Sequence, residues 1–589
     1  MTTLRVWAPL PPRVELQING DSLPMKKDGR GWWSIEVDSL PPGMRYGFLL
    51  DGEGPFPPPR APRLPDGVHG LAEAVDHAAF PWQHGAWSPP PLSTGSIIYE
   101  LHIGTFTPEG TFDAAAARLD HLIALGVTHV ELMPVNSFSG ERGWGYDGTG
   151  LFAPQESYGG PDGLKRLVDA CHGKGLAVLL DVVYNHFGPE GNYLGKFGPF
   201  LTDRHRTVWG DAVNLDGPES DEVRRFFVDN ALMWLRDYRL DGLRIDAVHA
   251  FEDRSAIHFL EELRVEVDRL GDRLGRWFTL IAESDLNDPR IIRPKALGGY
   301  AMDAQWSDDF HHCLHAILTG ERSGYYTDFG PVSQLAKSFR QAFVYDGCYC
   351  PSRGRRHGAP STGLTGSGFL AYIQNHDQVG NRARGDRISH LVSPEKARIA
   401  AALVLTAPFV PMLFMGEEWA AGTPFLYFTN HQDEALGRAV SKGRRQEFSA
   451  FGWNPEDVPD PQDARTFERS RLDWAEPGRP PHSDMLEWYR TLATLRRERY
   501  DLRSPDLSAV QTRFDEGEQW IAIRRGSHQV VANFSTAPRR VPLFGQCGTA
   551  LLAGSQVDQD AVRGDRLHAP PESVAILGPP APKTAETTC

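Results

Sequence analysis

The chain has 589 residues, 41% hydrophobic and 10% aromatic, enough to bury a large interior divided among about two to four domains. Its formal charge of −15 excludes a surface built for phosphate backbones, which demands a net basic face, so nucleic acid is not an expected partner. The opening "MTTLRVWAPL" lacks an export pattern and no run approaches the roughly 18 apolar residues of a membrane span, so a soluble, cytoplasmic protein with no membrane partner is expected.

Residues 1–90 alternate apolar and polar positions in "LRVWAP", "VELQI", "GWWSIEV" and "MRYGFLLDG", separated by Gly, Pro and Asp. That rhythm predicts a small N-terminal β-sandwich. The Pro-rich "PFPPPRAPRLPDG" and "WSPPPLSTG" lead out of it. From residue 96 the pattern changes to apolar runs such as "VTHVELMPV" and "LAVLLDVVY" alternating with helical stretches such as "FDAAAARLDHLIALG" and "PDGLKRLVDACHGKG". Repeated strand and helix units imply an α/β fold with a covered parallel sheet, and a segment reaching from 91 to 500 fits a (β/α)8 TIM barrel with insertions. After residue 501, "QWIAIRRG", "QVVANFS" and "SVAILG" return to strands, predicting a C-terminal all-β domain over 501–580. The Pro- and Thr-rich end, 581–589, reads as a disordered tail.

In a closed parallel barrel the functional groups gather where strands end, so polar residues terminating apolar runs come first. Four places qualify: "VLLDVVYNH" (Asp181, Asn185, His186), "GLRIDAVH" (Arg244, Asp246, His249), "FTLIAES" (Glu283) and "LAYIQNHD" (Asn375, His376, Asp377). One carboxylate at a strand end is as readily a helix cap; four in succession are not. Side chains two apart on a strand share a face, so Arg244 reaches Asp246 and keeps it ionised. Glu283 follows a run apolar enough to raise its carboxyl, as a general acid requires. A charged carboxylate facing a protonated one is the equipment of glycoside hydrolysis; at a separation of about 5–5.5 Å the first attacks while the second protonates, giving retention of configuration. Asp377 is a third acid, placed to bind hydroxyls and stabilise developing positive charge.

Together "DVVYNH" (181–186), "GLRIDAVHA" (242–250), "IAES" (281–284) and "YIQNHD" (372–377) make the chain resemble the α-amylase superfamily, glycoside hydrolase family 13. The resemblance implies Asp246 as nucleophile, Glu283 as acid/base and Asp377 as transition-state stabiliser, with Arg244, His186 and His376 contacting substrate or nucleophile. Tyr146, in "GWGYDG", stands where the family stacks an aromatic on the reacting glucose. His249 stands near the family's product-side Lys-His pair, but Ala250 follows it, a departure from typical amylases. Family members often bind calcium through the asparagine of the first region. Asn185 is present without an assignable acidic cluster, and six cysteines at 171, 313, 348, 350, 547 and 589 show no zinc spacing, so no metal and no cofactor are expected.

A narrower resemblance spans nearly the whole chain. "PRLPDGVHG" (62–70), "DAQWSDDFHH" (303–312), "GERSGYYTDFG" (320–330), "GRRHG" (354–358), "TPFLYFTNH" (423–431) and "GRRQEF" (443–448) look like maltooligosyltrehalose trehalohydrolases. That group implies maltooligosyltrehalose as substrate, trehalose as product, a maltooligosyltrehalose synthase as functional pair, and a glycan-binding-module-like N-terminal domain. Trp306, Tyr325, Tyr326 and Phe425 offer rings for sugar stacking, with ordinary packing as the alternative for each. Asp308 and Asp309 read equally as helix caps, and "GRRHG" as a solvated loop. The nearest rival is a 1,4-α-glucan branching enzyme, which shares the acids. A non-catalytic glucan-binding protein would not need them.

Overall fold

The structure is a computed structural model that describes residues 1–449, 454, 458–545 and 547–580; the tail read over 581–589 lies outside the described residues. Eight short runs, buried at every position, form the central strands. They are β1 (Ile98–Leu101), β2 (His129–Leu132), β3 (Ala177–Val182), β4 (Gly242–Ile245), β5 (Thr279–Ala282), β6 (Ala304–Trp306), β7 (Phe369–Ala371) and β8 (Val410–Phe414). Each pairs in parallel with the next, and β8 returns to β1, closing the barrel. Both faces are covered, which is why the runs are continuously apolar and do not alternate.

The exceptions to apolarity obey the two-residue period of a strand. Ile98, Leu179, Ile281, Ala304, Trp306, Leu370 and Met412 fill the barrel interior. Two positions after Ile98 and Leu179 come Glu100 and Asp181, on the same inward face, while Val130, Leu132, Leu243 and Ile245 pack outward and leave Glu131 and Arg244 inside. The interior therefore carries a charged layer above an apolar one.

Helices Gly160–Gly173, Ser220–Asp237, Phe259–Leu274, Asp308–Thr319 and Pro394–Leu405 follow β2, β3, β4, β6 and β7. The stretch "FDAAAARLDHLIALG" is two helices, Phe112–Ala116 and Leu119–Leu125, because Arg118 departs from helical backbone; Gly126 ends the second at φ 91°.

Ahead of the barrel, antiparallel sheets built on Thr2–Trp7 with Trp32–Val37 and on Val14–Ile18 with Arg45–Leu50 make the N-terminal β domain. It docks through aromatic edges, Trp7 against Phe200 and Phe48 against Phe197, with ring centres 5.3 and 6.4 Å apart. The segment it touches leads into a hairpin, Leu201–Thr207 with Gly210–Val213, that interrupts the path from β3 to β4. Behind the barrel, a five-stranded and a three-stranded sheet enclose Trp520, Val531, Val541 and Leu567. Arg525 ties this domain down by donating to the Thr406 carbonyl at 2.6 Å.

Candidate active site

The charged layer sits beneath a cleft of about 570 Å³ at the ends of the strands. Its centre is Arg244, fully buried. Nη1 donates to Asp181 at 2.7 and 2.8 Å and to Asp246 Oδ1 at 2.7 Å, and Nη2 lies 3.0 Å from Glu283 Oε2. One guanidinium thus touches three acids from β3, β4 and β5. A buried cation is tolerable only with such compensation, and so are the acids. Beneath it, the Trp306 ring lies 4.2 Å from the guanidinium carbon.

Asp246 and Glu283 share that cation and differ in everything else. Burial pushes the Asp246 carboxyl up, but Arg244, His186 and the Asn185 amide together outweigh it and leave it below its ordinary value. Asn185 Nδ2 donates to Asp246 Oδ2 at 2.6 Å. Burial pushes Glu283 well above the carboxylate range; Arg244 opposes this, and the charges of Asp246, Asp377 and Asp308 reinforce it. Its Oε2 accepts the backbone N–H of Ala247 at 2.8 Å. The two acids are pushed in opposite directions, Asp246 down and Glu283 up. Asp181, driven up by burial against Arg244, rises to about 6. Glu131 keeps both oxygens unpartnered, and burial pushes it well above the carboxylate range.

Tyr146 reaches this layer from the loop after β2. Gly145 beside it has φ 94°, and a Cβ there would stand 2.3 Å from the Pro134 carbonyl, so glycine is required for the turn that presents the ring. Tyr146 lies flat against His376, ring centres 5.0 Å apart, and its hydroxyl contacts His376 Nε2 at 2.8 Å and Asp181 at 2.5 Å. His376 starts a short helix, His376–Gly380, capped by Asn375. Asp377, with a side chain 40% exposed, accepts from Asn381 at 3.0 Å and faces the open cleft. His186 contacts Asn185 and the Tyr146 carbonyl, and His249 lies on the rim.

Eight of the nine residues picked from the sequence line the cleft or underlie it in contact with the acids; Trp306 as a sugar platform is corrected. At 1% exposure it is a floor beneath Arg244, with its indole N–H unpartnered. Phe425 is likewise fully buried, stacked on Trp144 at 5.1 Å, and Tyr326 is buried against His315. Tyr325 is 52% exposed and stacks on His312. Neither Asp308 nor Asp309 caps its helix, whose N-cap is Ser307. Asp309 instead accepts the Val344 and Tyr345 backbone N–H groups. Arg355 and Arg356 of "GRRHG" are exposed on a hairpin, as a solvated loop would be.

Sequence reasoning passed over three residues. Glu100 and Glu131 each interrupt an apolar run in the inward phase of their strand, the same signal that singled out Asp181. Trp209, at the tip of the inserted hairpin, lies over His186 with centres 4.7 Å apart and lines the cleft; an exposed Trp before Gly in a turn was its only mark.

This geometry has close counterparts. Residues 80–198 match the model for the alpha amylase catalytic domain, and residues 505–576 match a domain of unknown function, DUF3459. Over 577 residues the chain is 51% identical to the malto-oligosyltrehalose trehalohydrolase of Arthrobacter ramosus, spanning 97% of this chain and 99% of that one. The Saccharolobus solfataricus enzyme of the same name is 43% identical over 90% of this chain and 91% of its own. The chain belongs to the malto-oligosyltrehalose trehalohydrolase family. It is a glycoside hydrolase. A branching enzyme of Pseudoalteromonas atlantica is 30% identical, but over only 51% of this chain. Among solved structures, a Salmonella typhimurium protein assigned as an alpha amylase superposes with a TM-score of 0.90 at 36% identity, covering 98% and 97% of the two chains. The pullulanase of Paenibacillus barengoltzii, at 20% identity and a TM-score of 0.71 over 98% and 92%, shares the fold.

Proposed function

We propose that this trehalohydrolase-family chain cleaves the α-1,4 bond next to the terminal trehalose of maltooligosyltrehalose, with retention, releasing trehalose and a maltooligosaccharide. The observation that carries the mechanism is the single guanidinium shared by Asp246 and Glu283. A shared guanidinium draws both carboxyls to one side chain, which supports double displacement, in which the two acids flank a single anomeric carbon.

The bare Asp246 carboxylate attacks the anomeric carbon. The C–O bond to the trehalosyl unit breaks as Glu283 delivers its proton to the departing oxygen. Water then loses a proton to Glu283 and attacks the glycosyl-enzyme ester, freeing Asp246 and regenerating the acid. Asp377, His376 and Tyr146 surround the sugar ring while positive charge develops, and His186, Arg244 and His249 complete its surroundings.

Maltooligosyltrehalose must come from an enzyme that converts the reducing end of a maltooligosaccharide into trehalose, so a synthase is the functional pair, and the cytoplasm is the place where both act. Among the described residues no helix is long and apolar enough to cross a membrane, which is compatible with that setting.

The test is product analysis by chromatography with maltotriosyltrehalose, maltopentaose and amylose. Trehalose and maltotriose from the first, far faster than any product from the others, is the expected result. Absence of trehalose, or new α-1,6 branches in amylose, overturns the assignment.

A further inference from the structure

Every strand flanking the acids sends a functional group to the rim except β6. Close behind β6 comes Asp308, the first residue of helix Asp308–Thr319, lying in barrel order between Glu283 after β5 and Asp377 after β7. Arg244, which touches Asp181, Asp246 and Glu283, does not reach it. Oδ1 accepts the hydroxyl of buried Tyr372 at 2.5 Å, and among the described residues no Lys, Arg or His forms an ion pair with it. The charges that act on it most strongly are Asp285, Asp309 and Asp377, and it acts in turn on Glu283, all of them acidic. Burial and those charges push it up to about 7, with Tyr372 opposing. A half-buried carboxyl with acidic neighbours and no countercharge costs stability, and among the described residues nothing uses its second oxygen.

A sugar supplies what is missing, since its hydroxyls are neutral donors that satisfy an acceptor without a cation. Tyr146, His186 and Trp209 come from the loops after β2 and β3, across the barrel from β6 and β7. With the reacting ring on their side, the unit leaving with Glu283's proton lies toward Asp308. We propose that Asp308 is a substrate-binding residue whose free carboxylate oxygen accepts hydroxyls of the departing trehalosyl unit. This rests on the assignment above, and it adds a specificity contact on the side of the bond that distinguishes trehalose from maltose.

Asp308→Asn keeps the shape and the acceptor for Tyr372 while removing the charge; Asp308→Ala removes both. With maltotriosyltrehalose, kcat/KM is expected to fall about tenfold or more in Asp308→Asn, mainly through KM, as loss of a charge-assisted hydrogen bond predicts. Glu283 is faced by Arg244, Asp246, Asp377 and Asp308, so removing one negative charge should also move the alkaline limb of kcat/KM to lower pH. Calorimetric binding of maltotriosyltrehalose to Glu283→Gln and to Glu283→Gln/Asp308→Ala separates affinity from chemistry, and thermal melting reports folding. Unchanged KM, alkaline limb and affinity in folded variants, with wild-type trehalose release intact, overturn this inference alone. No trehalose from the wild type overturns the assignment, and this inference with it.

Discussion

The Glu100 carboxylate accepts both the backbone N–H of His376, at 3.0 Å, and its imidazole Nδ1, at 2.5 Å. One acid on β1 therefore sets both the position and the protonation of the residue beside Asp377. Burial disfavours the charged imidazole, but Glu100 and Asp377 outweigh it and raise His376 to about 9. A raised pKa contributes stability that is complete below the ordinary value of 6.5 and disappears as pH climbs through 9. Melting temperature should fall over that window in the wild type and fall less in Glu100→Gln, whose kcat should drop about tenfold to a hundredfold at pH 7. Identical melting curves against pH for the two proteins would count against this account.

Asp246→Ala and Glu283→Gln should each lower kcat by several orders of magnitude while leaving cooperative melting in place, because each acts chiefly in the transition state. A glycosyl fluoride leaves without protonation. It should restore turnover of the first step in Glu283→Gln and deposit a covalent sugar visible by mass spectrometry, and it should do neither in Asp246→Ala. Loss of the melting transition in both variants would mark the acids as structural.

Arg244→Met leaves Asp181, Asp246 and Glu283 without their shared cation. Breaking a buried pair in this way costs about 3–5 kcal/mol, and here more than one acid is stranded. Protonation relieves the repulsion, so the loss in melting temperature should be larger at pH 8 than at pH 5. An equal loss at both would show that packing, not charge, is what the arginine provides.

For the free wild-type enzyme, kcat/KM should trace a broad bell. The acid limb belongs below the ordinary aspartate value of 3.8, where Asp246 gains a proton, and the alkaline limb lies well above 4.5, where Glu283 loses one. Two closely spaced limbs near 4 would show that the acids do not differ.

Gly145→Ala tests the loop. The added methyl meets the Pro134 carbonyl at φ 94°, so the backbone must shift and Tyr146 with it. Activity should fall tenfold or more, with a modest loss in melting temperature. Wild-type kinetics would show that the turn can relax without moving the ring.

Much of this was legible because chemistry interrupts pattern. Arg244 and Asp246 stand out from an apolar run, and a spacing of two residues sufficed to pair them; the structure measures that pair at 2.7 Å. The parallel sheet was legible from the alternation of apolar runs with helices, and its closure from the length of the segment that carries them. Trp306 shows where such reading stops. A tryptophan at the end of a barrel strand looks the same whether its ring faces a cleft or lies under a guanidinium, because the residue above it comes from β4, some sixty positions away in the chain. Glu100 hid for the same reason, its partner being 276 residues distant. Trp209 hid because a hairpin inserted between β3 and β4 carries no periodicity that says which way it folds back.

Closure of β8 onto β1 also governs how this protein must be born. The cage that desolvates the acids is incomplete until Val410–Phe414 has been synthesised and has found a partner roughly three hundred residues upstream. Until then Glu131 and Arg244 remain in water with ordinary proton affinities. The layer of acids around Arg244 is therefore enclosed only once the last stave is in place.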